Sequence, residues 1–202
     1  MINHIETIYL TIVLAPLVGA LLAGLFGSAI GRAGAHWVTI IGVGISTILS
    51  MLVYKHHIID GAPDYNQAVY TWLSSGGIDF QIGFLIDPLS VTMMVVVSFV
   101  SWMIHIYTIG YMHDDPGYQR FFSYISLFTF AMLMLVMANN FLQLFFGWEA
   151  VGLVSYLLIG FWFKKESAIF ANLKAFLVNR VGDFGFLLGI AAILMYFNSL
   201  DY

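Results

Sequence analysis

Long apolar runs with almost no charge inside them constrain the fold of this chain more than any other feature. A membrane-spanning helix needs about 20 apolar residues at 1.5 Å per residue. Six segments meet this requirement, at about 7–27, 36–55, 87–111, 119–138, 141–163 and 168–197. Of the 202 residues, 61% are hydrophobic and only 9% are charged, which is too little charge to cover a water-facing surface. The sequence therefore predicts an all-α membrane protein with six transmembrane helices.

Local signals predict where these helices begin, end and bend. Asp87-Pro88 supplies an N-cap followed by proline at the first helical position. Asn139-Asn140 is the polar break in the apolar stretch 119–163, and it predicts a tight turn. Pro16 predicts a kink in the first helix, where a neighbouring group must satisfy the freed carbonyl. That helix follows no lysine or arginine and exceeds the apolar core of a signal peptide, so we interpret it as retained.

The segment between the second and third helices has a different period. Apolar and polar residues alternate on both sides of Ser74-Ser75-Gly76-Gly77. Period two around a glycine turn predicts a β-hairpin at about 68–84. An isolated hairpin has unpaired edges, so it must lie outside the hydrocarbon.

Lysine and arginine in the connections predict the orientation. One set of connections contains Arg32, Arg120, Lys164 and Lys165, whereas the other contains only Lys55. By the positive-inside rule the first set lies in the cytoplasm. The N-terminus, the hairpin, the Asn139-Asn140 turn and the C-terminal end then face outward.

Four formal charges lie inside predicted spans, at Glu149, Lys174, Arg180 and Asp183. An unpaired charge in hydrocarbon costs at least about 2.5–3.5 kcal/mol, so each requires compensation. Glu149 lies about 12 Å inside the fifth span, close to the membrane centre. Arg180 and Asp183 are spaced i,i+3 and share a helix face, so they can pair. Glu149 has no cation within one turn of its own helix, so its partner must come from elsewhere.

These groups admit a functional and a structural interpretation. In the functional interpretation, an intramembrane carboxylate gains or loses a proton as a nearby cation moves, which is the simplest form of a proton relay. His105 could extend the path of the proton. Alternatively, Arg180 and Asp183 form a static pair that fixes helix packing, Lys174 snorkels toward the interface, and His105 is a hydrogen-bonded core histidine. A purely structural role for Glu149 is the weakest of these alternatives.

Composition excludes several other classes of function. The absence of cysteine excludes disulfides, thiolate zinc sites and iron–sulfur ligation. No phosphate loop, dinucleotide fingerprint, metal-ligand cluster or catalytic triad is present. With a net charge of −4 and seven dispersed lysines and arginines, no nucleic-acid partner is expected.

The chain resembles a known family at its charged and glycine-containing segments. It is similar to the antiporter-like membrane subunits exemplified by subunit L of bacterial NADH:quinone oxidoreductase (respiratory complex I) and its mitochondrial counterpart, NADH dehydrogenase subunit 5. The resemblance covers essentially the whole chain but about the first third of a family member, so we expect a fragment or a truncated form. The matching segments are Asp87-Pro88-Leu89-Ser90, Tyr118-Gln119-Arg120-Phe121-Phe122, Gly147-Trp148-Glu149-Ala150-Val151-Gly152 and Asn179-Arg180-Val181-Gly182-Asp183.

The resemblance implies a proton-translocating subunit of the bacterial inner membrane, driven by NADH oxidation and quinone reduction in other subunits. It implies that Glu149 is a proton-channel carboxylate whose lysine partner lies on a seventh helix, and that Lys174, Arg180 and Asp183 belong to the neighbouring charged network. It further implies that the hairpin packs against an adjacent membrane subunit. No cofactor is expected in this chain, since NADH, FMN, iron–sulfur clusters and quinone bind to partner subunits. Two alternatives remain: the large subunit of a multisubunit sodium/proton antiporter, and a non-transporting membrane scaffold.

Overall fold

The structure, a computed structural model, describes residues 2–75 and 78–202. In these residues six helices are long and apolar enough to cross a membrane. A two-stranded antiparallel hairpin connects the second helix to the third. The predicted membrane fold of six helices and one hairpin is confirmed. The elements are α1 (Ile2–Leu25), α2 (Gly27–Tyr54), β1 (Tyr65–Ser75), β2 (Ile78–Ile86), α3 (Pro88–Tyr111), α4 (Tyr118–Val136), α5 (Phe141–Ile159) and α6 (Glu166–Phe197).

Helix α1 accommodates Pro16 because α2 replaces the missing hydrogen bond. A proline at position 16 cannot donate to the carbonyl four residues earlier, which belongs to Ile12. The Ser46 hydroxyl donates to that carbonyl at 2.6 Å. On α4, Ser126 donates to the carbonyl of Pro16 itself at 2.7 Å and Ser123 to that of Ala20 at 2.8 Å. Buried hydroxyls therefore join α1 to both of its neighbours.

The start of α2 differs from the prediction of about 36. The helix begins at Gly27, and a non-helical glycine interrupts it at Gly31, with φ 70° and ψ −175°. Glycine is favoured in this backbone conformation because glycine lacks a Cβ atom. The segment containing Arg32 is too polar to count toward an apolar span, so the apolar-length criterion missed this first turn. At its other end, α2 continues as a π-helical segment, Lys55–Ile59.

The other helix ends lie within two residues of the predicted ones, apart from the start of α1, which is at Ile2 rather than at 7, and the end of α5. This helix stops at Ile159 rather than at 163. Phe161 belongs to the following turn, where it is buried among Met112, Tyr118 and Phe122. Apolar residues that pack in a turn are indistinguishable from helix residues by composition alone, which explains the error. The predicted cap of α3 is present, since Asp87 and Ser90 form a capping box. Asn140, predicted only as part of a turn, also caps α5.

The hairpin is longer than the predicted 68–84. Its strands pair from Tyr65 opposite Ile86 to Ser75 opposite Ile78, with register shifts between Ala68 and Tyr70 and between Thr71 and Leu73. The predicted Gly76-Gly77 turn lies outside the described residues.

The hairpin is docked on the turn between α4 and α5. The backbone N–H of Leu85 donates to the Met137 carbonyl at 3.0 Å, and that of Gly83 donates to Oε1 of Gln143 at 2.8 Å. The chain end joins the same region, because the N–H of Phe141 donates to the Leu200 carbonyl at 2.9 Å. The hairpin, the Asn139-Asn140 turn and residues 198–202 therefore lie at one end of the bundle.

Two apolar clusters form the core of the bundle. One lies below the hairpin and combines residues from α1–α4 with β2; the other lies at the opposite end, under the turns before α4 and α6. The first contains Tyr9, Ile12, Val13, Val53, Phe84, Ile86, Val91, Met94, Leu133 and Met137. The second contains Met112, Tyr118, Phe122, Ile125 and Phe161.

Candidate functional site

Glu149 faces α6 because of how α5 packs on α4. Gly147 lies so close to α4 that a Cβ atom on it would be 2.7 Å from the Cα of Leu135. At 3.6 residues per turn, Glu149 lies on the opposite side of α5 from Gly147. The carboxylate therefore points away from α1–α4 and toward α6.

Arg180 of α6 connects two carboxylates. Its Nη1 atom lies 2.5 Å from Oε2 of Glu149, and its Nε atom lies 3.6 Å from Oδ2 of Asp183. The first pair is in direct hydrogen-bonding contact, and the second distance is too long for a hydrogen bond. The guanidinium also lies over the ring of Phe176, 5.1 Å from its centre. Arg180 is thus engaged mainly with Glu149, with Asp183 as a second acceptor within reach.

Asp183 has a further partner in Trp148, the residue before Glu149. The indole Nε1–H donates to Oδ1 of Asp183 at 2.8 Å. Sequence reasoning missed this contact, although an indole N–H in an apolar segment normally requires an acceptor, and that signal was available. Trp148 and Glu149 of α5 therefore both bind the charged residues of α6.

Burial differs strongly among the three charged groups. The side chain of Asp183 is 8% exposed and that of Glu149 is 23% exposed, whereas Arg180 is 42% exposed. Asp183 and Ile190 are the buried residues of α6, so a carboxylate occupies one of the helix's few enclosed positions. The cation is therefore the most exposed of the three groups, and Asp183 is the most enclosed.

The structure does not bring the other two predicted residues into this group. Lys174 is exposed on α6 and forms no ion pair among the described residues. His105 is fully buried on α3, where its Nδ1–H donates to the Ser101 carbonyl at 2.7 Å. Its Nε2 atom has no hydrogen-bond partner in the described part of the chain. No hydrogen bond or ion pair there joins His105 to Glu149.

The charge balance defines what the group can do. Two carboxylates and one guanidinium carry formal charges of two negative and one positive. One cation therefore lies within reach of two acceptors on different helices. Within residues 2–75 and 78–202, no group of three or more His, Asp or Glu side chains could hold a metal ion.

Two family models match the chain. The model for the N-terminus of chain 5 of NADH-ubiquinone oxidoreductase (complex I) matches residues 72–122. The model for the transmembrane region of NADH:quinone oxidoreductase and Mrp antiporters matches residues 138–202, which contain Glu149, Arg180 and Asp183.

Individual relatives extend the match to nearly the whole chain. Subunit L of the NADH-quinone oxidoreductase of Neisseria meningitidis serogroup B is 67% identical over 97% of this chain. Chain 5 of the NADH-ubiquinone oxidoreductase of Arabidopsis thaliana is 48% identical over 96% of it. The chain spans 29% of the length of each of these relatives.

Solved structures share the fold at lower sequence identity. A chain of the membrane-bound sulfane sulfur reductase, an archaeal respiratory complex, superposes with a TM-score of 0.80 at 16% identity, covering 96% of this chain and 38% of its own. A chain of the Mrp complex from Dietzia sp. DQ12-45-1b superposes with a TM-score of 0.79 at 21% identity. The match covers 96% of this chain and 20% of the Dietzia chain. The chain is a multi-pass membrane protein, and it belongs to the family of antiporter-like membrane subunits that includes subunit L of NADH-quinone oxidoreductase and chain 5 of NADH-ubiquinone oxidoreductase.

Proposed function

We propose that this chain is part of a proton-translocating membrane subunit of a complex I-type NADH:quinone oxidoreductase. The observation that carries the proposal is the contact of one cation, Arg180, with two carboxylates on different helices, Glu149 and Asp183. Charged residues inside membrane spans are costly and mark ion pathways. Relatives at 67% and 48% identity are subunits of NADH-quinone and NADH-ubiquinone oxidoreductases, and this supports the proposal.

In this mechanism Glu149 is the carboxylate that takes up and releases the proton. When Glu149 is ionised, Arg180 binds it. When Glu149 is protonated, Arg180 moves toward Asp183, whose other oxygen is held by the Trp148 indole. The movement is short, because the guanidinium already lies 3.6 Å from Asp183. A longer relative of this chain could offer Glu149 a further cation from another helix, and Lys174 could approach the same network.

The partners and the location follow from the same proposal. NADH oxidation and quinone reduction occur in other subunits, which bind FMN and iron–sulfur clusters, and this chain contributes no redox centre. The chain lies in the bacterial inner membrane beside other membrane subunits of the complex. The hairpin and the N-terminus face outward, because Arg32, Arg120, Lys164 and Lys165 are at the opposite end.

The test is proton pumping by the full-length protein in its complex, in inverted membrane vesicles. Glu149→Gln should leave NADH oxidation measurable but reduce the number of protons pumped per electron. Glu166→Gln is the matched control, because Glu166 is exposed at the start of α6 and forms no ion pair among the described residues. A Glu149→Gln ratio equal to that of Glu166→Gln would contradict the relay and favour a scaffold role.

A second candidate is the large subunit of a sodium/proton antiporter. One of the two matching family models covers Mrp antiporters as well as oxidoreductases, and the Dietzia Mrp complex shares the fold. Purification of the full-length protein from its own cells separates the two. Co-purifying flavin and iron–sulfur proteins would support the oxidoreductase, and their absence together with sodium-dependent proton exchange would support the antiporter.

A further inference from the structure

A cavity lined by both charged and apolar residues lies at the end of the bundle opposite the hairpin. It encloses about 850 Å³ between the end of α1, the start of α2, the start of α4 and the turn that precedes α6. Its charged lining residues are Asp115, Arg120, Lys164 and Lys165. The formal charge of these four side chains is three positive and one negative, which gives a net charge of +2.

The single acid in this cavity is already bound by uncharged donors. The Trp162 indole donates to Oδ2 of Asp115 at 2.9 Å, and the backbone N–H of Gly117 donates to Oδ1 at 2.7 Å. No ion pair joins Asp115 to Arg120, Lys164 or Lys165 in the described part of the chain. The three cations therefore have no anionic partner there.

Aromatic rings hold two of these cations in place. The Arg120 guanidinium lies 4.6 Å from the centre of the Phe161 ring and 5.2 Å from that of Phe163. The Lys165 ammonium lies 4.8 Å from the Trp162 ring centre. The Nε atom of Arg120 is buried without a hydrogen-bond partner among the described residues. Arg120 donates from Nη2 to the Phe161 carbonyl at 3.2 Å, and ring contacts orient both cations without using their remaining N–H donors.

The backbone adds to the positive potential of the cavity. Three helices begin at its wall: α2 at Gly27, α4 at Tyr118 and α6 at Glu166. None of their N-cap residues, Phe26, Gly117 and Lys165, provides a side-chain cap. Helix N-termini carry partial positive charge and favour anions. No acidic residue lies in the first turn of α2 or α4, whereas Glu166 offsets this charge at α6, so two of the three N-termini reinforce the cationic side chains.

The rim of the cavity indicates which anion fits. Leu25, Trp162 and Phe163 line it and are exposed to the surroundings of the bundle. An inorganic anion gains no binding energy from an apolar rim. A phospholipid does, because its phosphate binds among the cations while its acyl chains contact the apolar residues. We propose that this cavity binds the phosphate headgroup of an anionic phospholipid. The proposal needs only a membrane location and does not depend on proton translocation.

The experiment is photo-cross-linking to the full-length protein, purified in its complex and reconstituted in phosphatidylcholine nanodiscs. A photoactivatable phosphatidylglycerol is compared with the matching photoactivatable phosphatidylcholine, and labelled peptides are mapped by mass spectrometry. The anionic probe should label the segment around Trp162 and Phe163 preferentially. Each lysine near a membrane surface contributes about fivefold in affinity for anionic lipid, so Lys164→Gln with Lys165→Gln should abolish most of this preference.

Lys55→Gln is the matched control, since Lys55 lies at the hairpin end and should leave the labelling unchanged. The amount of assembled complex is measured for each variant to show that it folds. Equal labelling by the two probes, or unchanged labelling in the double lysine variant, would overturn the proposal. So would loss of labelling in millimolar inorganic phosphate but not in chloride of equal ionic strength, since that result would identify a site for free phosphate.

Discussion

The α1–α4 block and the α5–α6 pair satisfy their buried polar groups in different ways. In the first block, hydroxyls bind backbone carbonyls of neighbouring helices, as Ser46 binds Ile12 and Ser126 binds Pro16. In the second, charged side chains bind one another, as Arg180 binds Glu149. A hydroxyl bound to one carbonyl has a single favourable position, whereas a cation between two carboxylates has two. The first arrangement holds neighbouring helices together, and the second allows the cation to move from one carboxylate to the other.

Packing differs between the same two regions. Helix α2 has eleven buried residues among 28, while α6 has two among 32. Within these 202 residues, which span 29% of the length of the relatives, the charged group therefore lies on the less covered pair of helices. The following predictions compare matched positions in the two regions, using the 202-residue chain in which these exposures are observed.

The largest difference should come from removing an aromatic ring. Phe122 of α4 is fully buried, whereas Phe184 of α6 is 64% exposed. Phe122→Ala leaves a cavity and should lower the free energy of unfolding by about 3 kcal/mol. This is the lower end of the usual range, because the side chain of the unfolded state is surrounded by lipid rather than by water. Phe184→Ala should cost far less. Thermal unfolding of the purified protein measures both, and equal losses would contradict the contrast in packing.

A smaller difference should follow from adding a methyl group to a glycine. At Gly42 of α2 a Cβ atom would lie 2.7 Å from the carbonyl oxygen of Ala15, so Gly42→Ala must separate α1 from α2. We expect a loss of about 2 kcal/mol from this overpacking. At Gly182 of α6 nothing lies within 4 Å, so alanine should be neutral or stabilise the helix by up to about 1 kcal/mol. Unfolding curves that rank the two variants in the opposite order would sink this comparison.

The third prediction concerns the indole that binds Asp183. Trp148→Phe keeps an aromatic ring next to Phe186 but removes the donor to Oδ1 of Asp183. A hydrogen bond to a charged group contributes about 1.5–3 kcal/mol, and partial exposure of Trp148 should reduce the loss to about 1 kcal/mol. Trp72→Phe is the control, because Trp72 is exposed on the hairpin. The same melting temperature in both variants would show that the indole contact is dispensable.

The smallest effect should be a pH dependence at the opposite end of the bundle. The Trp162 indole N–H lowers the pKa of Asp115 below its usual 3.8; partial burial opposes this shift, and the Gly117 N–H, Arg120 and Arg32 reinforce it. Because the folded pKa is the lower one, the stabilisation is complete above about pH 3.8 and is lost as the pH falls through the folded value.

Asp115→Asn should therefore remove less than about 1 kcal/mol at pH 6, since the group is largely solvated, and less at pH 3 than at pH 6. Melting temperatures at the two pH values measure this. Asp114→Asn is the control, because the Asp114 side chain is fully exposed and contacts only the exposed ring of His113 among the described charged groups. A destabilisation by Asp115→Asn that grows toward pH 3 would have the wrong sign for this account.

The features that were predictable from sequence depend on local signals. Apolar length predicts the six helices, Asp87-Pro88 predicts the start of α3, Asn139-Asn140 predicts the turn before α5, and alternation predicts the hairpin. Each of these signals acts within a few residues, so it remains visible without the fold. The start of α2 was missed because Gly31 separates a short polar turn from the apolar run, and the apolar turn at Phe161 was read as helix.

The candidate site was predictable as a set of residues but not as a geometry. The i,i+3 spacing correctly places Arg180 and Asp183 on one face, yet the shorter contact of Arg180 is with Glu149 on another helix. That preference depends on how Gly147 orients α5 against α4, which no spacing rule gives. The basic cavity was equally hidden, since Arg120 and Lys164 are 44 positions apart in sequence and meet only through the fold.

The central claim is that Arg180 acts through Glu149, and a double-mutant cycle on proton pumping tests it most directly. The protons pumped per electron are measured in vesicles for Glu149→Gln, Arg180→Gln and the double variant, at equal amounts of assembled complex. If Arg180 serves to exchange between the two carboxylates, the double variant should pump no less than Glu149→Gln alone. If the loss of pumping in the double variant equals the product of the losses in the two single variants, Arg180 acts independently of Glu149, and that result would contradict the account.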